Sequence, residues 1–405
     1  MLAVSIVAAL VSVAGEAGAI SPCTKNWVGA ANGAFSTASN WAPSGTPGSS
    51  DIVCSSAGSS IVVRQNANVR LPMLSGSLRI NAGITFTDAN NIGDPAVVGA
   101  INNLMLQGTL AIDAMAVLDL SGSSLVEGGT IAQTYDFLSQ AYVRVPGGAS
   151  MTVGSGRMTL RTTAPFFLGT RLLQVDGTLN LAGGNVTVAP GGGQLLNRGT
   201  LNWTSGNVFL TAAGAEIANF GTLNIDGTTA RTSNGLGRIV NNSTGSLTHG
   251  STATTTLNAA LSNLGTVMSF AGVLNLPLVN QLDPVNDRVT GGVWIVEATL
   301  RLPANMTIVR NAGSITLGQL GSIQQSSGVD GFLLQTNEAP GTVAIQQTRS
   351  LGVVVNQGVL RAASGSLTVS AYTQTAGTTE VMKGATLVGA SGPVQIVAGE
   401  IGGLG

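Results

Sequence analysis

The sequence predicts an all-β protein: a single-stranded parallel β-helix, a right-handed β-solenoid, closed at its N-terminal end by an aromatic cap. Three observations carry this reading. Short alternating apolar runs recur between Gly and Asn, as in SLRINAGITF (77–86) and GTLAIDAMAVLDLSG (108–122). Val, Ile, Leu and Thr dominate these runs, as pleated strands require. No long stretch places apolar residues at i, i+3, i+4 and i+7, so helix signals are nearly absent. Finally, a motif returns at a fixed interval. NRGTLNW begins at Asn197, NFGTLNID at Asn219, NLGTVMSF at Asn263 and NQGVLRA at Asn356. Gly177, Gly199 and Gly221 keep one phase (199 − 177 = 22; 221 − 199 = 22). An interval near that length marks a solenoid.

A leucine-rich solenoid would need its own leucine spacing and a helix or turn per unit, and neither is present. One coil of a parallel β-helix fits: two or three strands joined by corners bearing Asn and Gly, the residues that tolerate left-handed backbone. Coils stacked about 4.8 Å apart would align inward Leu, Val and Ile in columns. Each coil buries its apolar face against its neighbours alone, so stability accumulates along the rod.

In chain order, residues 1–19 read as a secretory signal. LAVSIVAALVSVAG is an apolar run too short to span a bilayer comfortably, followed by Ala17-x-Ala19, although a positive n-region is missing. Residues 20–60 form the cap module, and 61–405 the β-helix. QLDPVNDRVTGG (281–292) is its most polar interruption and is expected to loop out. TTAPFFLGT (162–170) is a second irregular piece, with Phe166 and Phe167 expected to plug the core. The segment VQIVAGEIGGLG at the end has no polar or helical cap, so the native rod is expected to continue. No transmembrane helix is expected in the mature chain.

Composition narrows the function. Charged residues make up 9% and the formal net charge is −1. No basic field exists to hold a phosphate backbone, so nucleic acid is not an expected partner. Cys23 and Cys54 flank the cap; in an exported chain such a pair reads as a disulfide, the alternative being two buried thiols. The stretch between them holds half of the four tryptophans. Trp27 and Trp41, with Phe35, can lid the open first coil, which would otherwise invite edge pairing. Asn40 and Asp51 belong to the same module, and Asp51 can satisfy loose amides before the first regular strand. The rival role for the two indoles is a sugar-stacking platform.

Trp27-x-Gly29, Gly33-x-Phe35, Asn40-Trp41, Gly45-x-Pro47 and Asp51-x-Val53 together resemble the N-terminal module of exported bacterial β-helical repeat proteins, the autotransporter-like passengers and adhesins. Similar modules occur in protist cyst-wall β-helical lectins. Phe35 departs from the family pattern, which more often has Trp there. The resemblance implies a surface or extracellular-matrix role and no particular enzyme activity.

No catalytic residue, metal or cofactor is assigned. The acids Asp113, Asp119, Asp136, Asp176, Glu216, Asp226 and Glu297 are scattered singly, without the paired carboxylates that glycoside hydrolysis uses. Asp176 and Arg198 fall one coil apart and suit a ladder ion pair. DANNIGD (88–94) and DPVNDR (283–288) are loops with calcium-like oxygen spacing, against which stands ordinary Asx turn chemistry. Asn-x-Ser/Thr sequons occur at Asn185, Asn202, Asn241, Asn242 and Asn305, the overlapping Asn241–Asn242 pair in NNSTG being the most accessible. Trp203, Trp294 and Tyr372 are candidate glycan contacts if they face outward; core or corner burial is the other reading, for them as for Tyr142. Thr252, Thr254, Thr255 and Thr256 are dense, yet they do not repeat at the coil interval as an ice-binding array would.

The function expected is therefore a secreted or cell-surface structural or adhesive rod. It would present a wall to polysaccharide or a partner protein. The alternatives are a lectin-like module and a polysaccharide lyase or hydrolase. The sequence leaves the oligomeric state open.

Overall fold

In a computed structural model, the described residues are 23–89, 98–112, 117–133, 142–154, 156–162, 171–188 and 193–403. The signal-like segment, Asp113, Asp136, Phe166, Phe167 and most of DANNIGD lie outside them. The protein is an all-β parallel solenoid, with one short 3₁₀ turn at Ala38–Asn40 among the described residues. One turn of chain shows the plan. Strand Gln194–Asn197 runs into Thr200–Trp203, then Val208–Leu210, and Glu216–Asn219 returns beside its start. The three strands belong to three walls.

On the second wall Thr178–Leu181, Thr200–Trp203, Thr222–Ile225 and Ser246–His249 pair in parallel without a register shift. Leu179, Leu201, Leu223 and Leu247 therefore form one buried column. Removing each such leucine from water stabilises the fold by about 1.5–3 kcal/mol. Elsewhere the coil length varies. Successive second-wall partners Ser150 and Thr178 are 178 − 150 = 28 residues apart; Thr342 and Val359 are 359 − 342 = 17 apart. Extra residues leave chiefly at corners, with bulges inside the first wall between Arg171 and Leu173 and between Ile308 and Arg310.

The corner between the first and second walls carries the motif seen in the sequence, and its asparagines are buried. Asn197 Nδ2 donates to Asn219 Oδ1 (2.7 Å) and to the Thr222 carbonyl (2.9 Å). Asn219 repeats this with Asn241 Oδ1 (2.8 Å) and Ser246 O (3.0 Å), and Asn241 with Asn263 Oδ1 (2.9 Å) and Thr266 O (2.9 Å). Both amide protons are thereby used, and each bond crosses one coil spacing. The ladder stops at 276–292 and resumes as Asn311, Asn337 and Asn356, joined by two bonds of 2.9 Å. The glycine two residues on is demanded by close approach: a Cβ on Gly221 would lie 2.2 Å from the Gly199 carbonyl oxygen.

The interruption contains an antiparallel hairpin, Leu282–Asp283 with Arg288–Val289. Val289 stands beside Asn311 where an asparagine would continue the ladder. Glu338 ties this hairpin down, with Arg288 at 2.7 Å and Arg310 at 2.5 Å.

At the N-terminal end, Trp41 meets Trp27 and Phe35 edge-on, at centroid distances of 5.1 and 5.0 Å. Phe35 in turn meets Phe86 of the coil interior at 5.7 Å. Gly29 and Gly33 border Trp27 so closely that a Cβ on either would come within 2.7 or 2.8 Å of its ring. Trp41 Nε1 donates to the Phe35 carbonyl (2.7 Å) and Asn40 Nδ2 to Ala34 O (2.9 Å). Asp51 accepts from Thr24 Oγ1 and the Gly48 amide, both at 2.8 Å. Cys23 and Cys54 are disulfide-bonded, with Cα atoms 5.8 Å apart. Closing a loop of this size is worth about 3–4 kcal/mol in the chain-entropy account. At the other end Val397 and Ile401 are exposed.

One buried polar knot sits inside the rod. His249 is fully buried, with Nε2 3.1 Å from Thr255 Oγ1. Arg231 is buried nearby and donates to the carbonyls of Trp203 and Asp226. Burial pushes the His249 imidazole down to about 4, with Arg231 adding to the effect while a backbone bond to Ala271 and the Asp226 charge oppose it.

Two outcomes follow from these contacts. Asn219→Ala leaves Asn197 and Asn241 each short of a buried partner; urea unfolding is expected to show a loss of about 2–4 kcal/mol, and a loss below about 0.5 kcal/mol would contradict the ladder. For His249, the unfolded imidazole takes a proton near 6.5 while the folded one resists until about 4. Its neutral form is free of cost above pH 6.5. Stability should fall as pH drops from there towards 4 and level off below, by up to about 3 kcal/mol in all. Melting curves across that window, compared with His249→Gln, measure this share.

Candidate binding wall

Along each second-wall strand the residues alternating with the core leucines point out. Register stacks them into two columns. The first runs through Ser60, Ser77, Asn103, Ser123, Ser150, Thr178, Thr200, Thr222, Ser246 and Thr266. Every member is a hydroxyl or a primary amide. The second column carries Thr152, Asn180, Asn202, Asn224 and Thr248 over its middle. Asn202 donates to Asn180 Oδ1 (2.9 Å) and Asn224 to Asn202 Oδ1 (3.0 Å), so these amides are held in one orientation. The third wall repeats the theme with Thr85, Thr109, Thr130, Thr159 and Thr187. Hydroxyls thus do repeat at the coil interval, although not through the dense cluster at 252–256, where Thr255 is buried.

From Ser60 to Thr266 the strands of this wall carry little charge, and the ion pairs of these coils stand on the first wall, while Arg361 and Glu380 pair further along the second wall itself. Asp119 pairs with Arg144 and Glu216 with Arg238, each at 2.6 Å and each across one coil of the first wall. Asp176 does not pair with Arg198; its carboxylate accepts instead from Gln174 Nε2 (2.8 Å). Among the described residues no group of three or more His, Cys, Asp or Glu gathers as a metal site would require. The Asp283 carboxylate is held below the usual range mainly by Asn286, whose Nδ2 donates at 2.6 Å, and by the amides of Asn286 and Val285. DPVNDR is thus turn chemistry.

The aromatic candidates do not reach the surface. Trp203 is 2%, Trp294 3% and Tyr372 0% exposed, which corrects their reading as glycan contacts. Trp203 Nε1 donates to Gly206 O (2.9 Å) and Trp294 Nε1 to Gly291 O (3.0 Å), and Tyr372 hydrogen-bonds Thr379 and Gln374 inside the coil. The signal was present: Trp203 follows Leu201 by two residues, so strand alternation puts both on the core side. Trp27 and Trp41 are likewise buried and leave no stacking platform.

Among the sequons, Asn241 is the least accessible, since its side chain is a rung of the buried ladder. Asn242 and Asn185 are half-buried, and Asn185 Oδ1 accepts the Asn207 amide (2.8 Å). Asn202 lies on the wall with its amide engaged. Asn305 is exposed at a left-handed position, φ 62°.

A groove of about 310 Å³ opens at the N-terminal end of the hydroxyl wall, lined in part by Asn32, Ser77, Arg79 and Asn103. Among the described residues, no helix is long and apolar enough to cross a membrane. No protein-family model, curated protein or solved structure matches this chain.

Expressed through a eukaryotic secretory pathway, the chain is expected to carry glycan at Asn305 and none at Asn241. Peptide mapping by mass spectrometry reads both sites at once, and occupancy at Asn241 would contradict the buried ladder.

Proposed function

We propose that this chain is a secreted or cell-surface structural and adhesive rod that lays its second wall against polysaccharide. The supporting observation is the unbroken outward column of hydroxyls and amides from Ser60 to Thr266. Each group can exchange a water hydrogen bond for one to a sugar hydroxyl, a net gain of about 0.5–1.5 kcal/mol at most. Single contacts of that size do not retain a ligand. A column spaced at about 4.8 Å presents many to one extended chain, and linked contacts multiply. Rigidity helps, because side chains already fixed lose little entropy on binding.

The disulfide is compatible with an oxidising compartment, and with the signal-like start it supports export. Aromatic stacking, the usual basis of a lectin reading, lacks exposed rings at the residues singled out for it. The wall reading relies on polar repetition instead.

Retention on insoluble cellulose and chitin tests it. The folded protein should be retained on at least one, and Thr178→Lys with Thr222→Lys should cut retention at least tenfold with the β circular dichroism unchanged. Absence of retention on every insoluble glycan tried would overturn the proposal.

A further inference from the structure

The groove at the head of the wall differs from the rest of the Ser60–Thr266 stretch in holding a cation. Arg79 stands in the second outward column, exposed, between Val62 on the preceding row and Met105 on the next. Three other arginines on the walls meet an acid one row away, as Arg144 meets Asp119, Arg238 meets Glu216 and Arg361 meets Glu380, while Arg161 stands beside Ala132 and Arg301 between Asn275 and Gln324. Arg79 has apolar neighbours at those positions, and among the described residues no carboxylate pairs with it. One of its N–H groups donates to Gln107 Oε1 (3.0 Å). The guanidinium has five donors in a planar fork that suits a carboxylate.

The rest of the groove is equally specific in kind. Ser77, Asn103 and Ser123 line it with hydroxyl and amide groups, Asn32 of the cap closes one side, and Met105 adds an apolar patch. No acidic side chain lines it among the described residues. A lone cation, sugar-sized volume, hydroxyl partners and an apolar patch occur together here.

We infer that this groove is a subsite for a uronate, the carboxylated sugar unit of an acidic polysaccharide. Its carboxylate meets Arg79, its hydroxyls meet Ser77, Asn103 and Ser123, and its C–H face covers Met105. A rod with this subsite reads acidic polysaccharides at its head while the wall grips the chain non-selectively. The inference rests on the polysaccharide reading above and adds a preference in charge.

Polygalacturonate and its methyl ester supply the test, since they differ in the carboxylate alone. Affinity electrophoresis at low salt should show the folded chain binding polygalacturonate at least tenfold more tightly than the ester, a gap that narrows as salt screens the pair. Arg79→Gln should abolish the gap and Arg79→Lys restore part of it. Arg198→Gln, at an exposed corner, should leave it intact. Equal binding of the two forms, or of the Arg79→Gln variant and the parent, overturns the subsite while leaving retention on insoluble glycans standing. Equal competition by poly-glutamate also overturns it, since a polypeptide offers carboxylates without sugar hydroxyls. Failure to bind either form overturns the subsite too, and the insoluble-glycan experiment then judges the wall separately.

Discussion

The primary amide of a corner asparagine is the contact through which one coil sets the position of the next. A backbone corner cannot continue the strand ladder, so its polar groups lose their regular partners as the chain turns. Left buried and unpaired, each costs about 1–3 kcal/mol. Asn219 spans the gap because its side chain offers two donors and an acceptor in one plane. It accepts from Asn197, donates to Asn241, and caps the Ser246 carbonyl of the coil beyond. A side chain with only one donor could not do all three. The ladder therefore fixes spacing and register together, at the place where register is otherwise free to slip.

Everything on the outside inherits that register. Strand alternation decides only whether a side chain points in or out. Stacking decides whom it stands beside, and the result is columns: Leu179 to Leu247 inside, Ser60 to Thr266 outside, acid beside arginine on the first wall. Coil lengths that range from 17 to 30 residues leave these columns intact because the surplus exits chiefly at corners. Where the ladder breaks, at 276–292, a hairpin and the Glu338 ion pairs take over its task.

The sequence showed the repeating frame but not what its first residue does. Asn-x-Gly-Thr-Leu was visible as a unit, and so were the strands and the interruption at 281–292. Asparagine there looked like a turn residue, so Asn241 looked accessible; its burial depends on the coil above and below, which no single stretch reveals. The outer hydroxyl column stayed hidden for a related reason. Ser123, Ser150 and Thr178 are neighbours in space at unequal intervals in the chain, and only paired register aligns them. Trp203 is the opposite case. Its phase relative to Leu201 was sufficient to place it inside. The groove at Arg79 was out of reach, because it joins the cap to rows that the chain visits separately.

The central claim is that buried side-chain amides carry the register from coil to coil. Hydrogen exchange at the Asn Nδ2 groups, in protein labelled with ¹⁵N at asparagine, observes them directly. The account predicts that Asn219, Asn241 and Asn337 keep their side-chain protons far longer than exposed Asn305, with lifetimes near those of the core strand amides. Exchange of all four at the same solvent rate would contradict it.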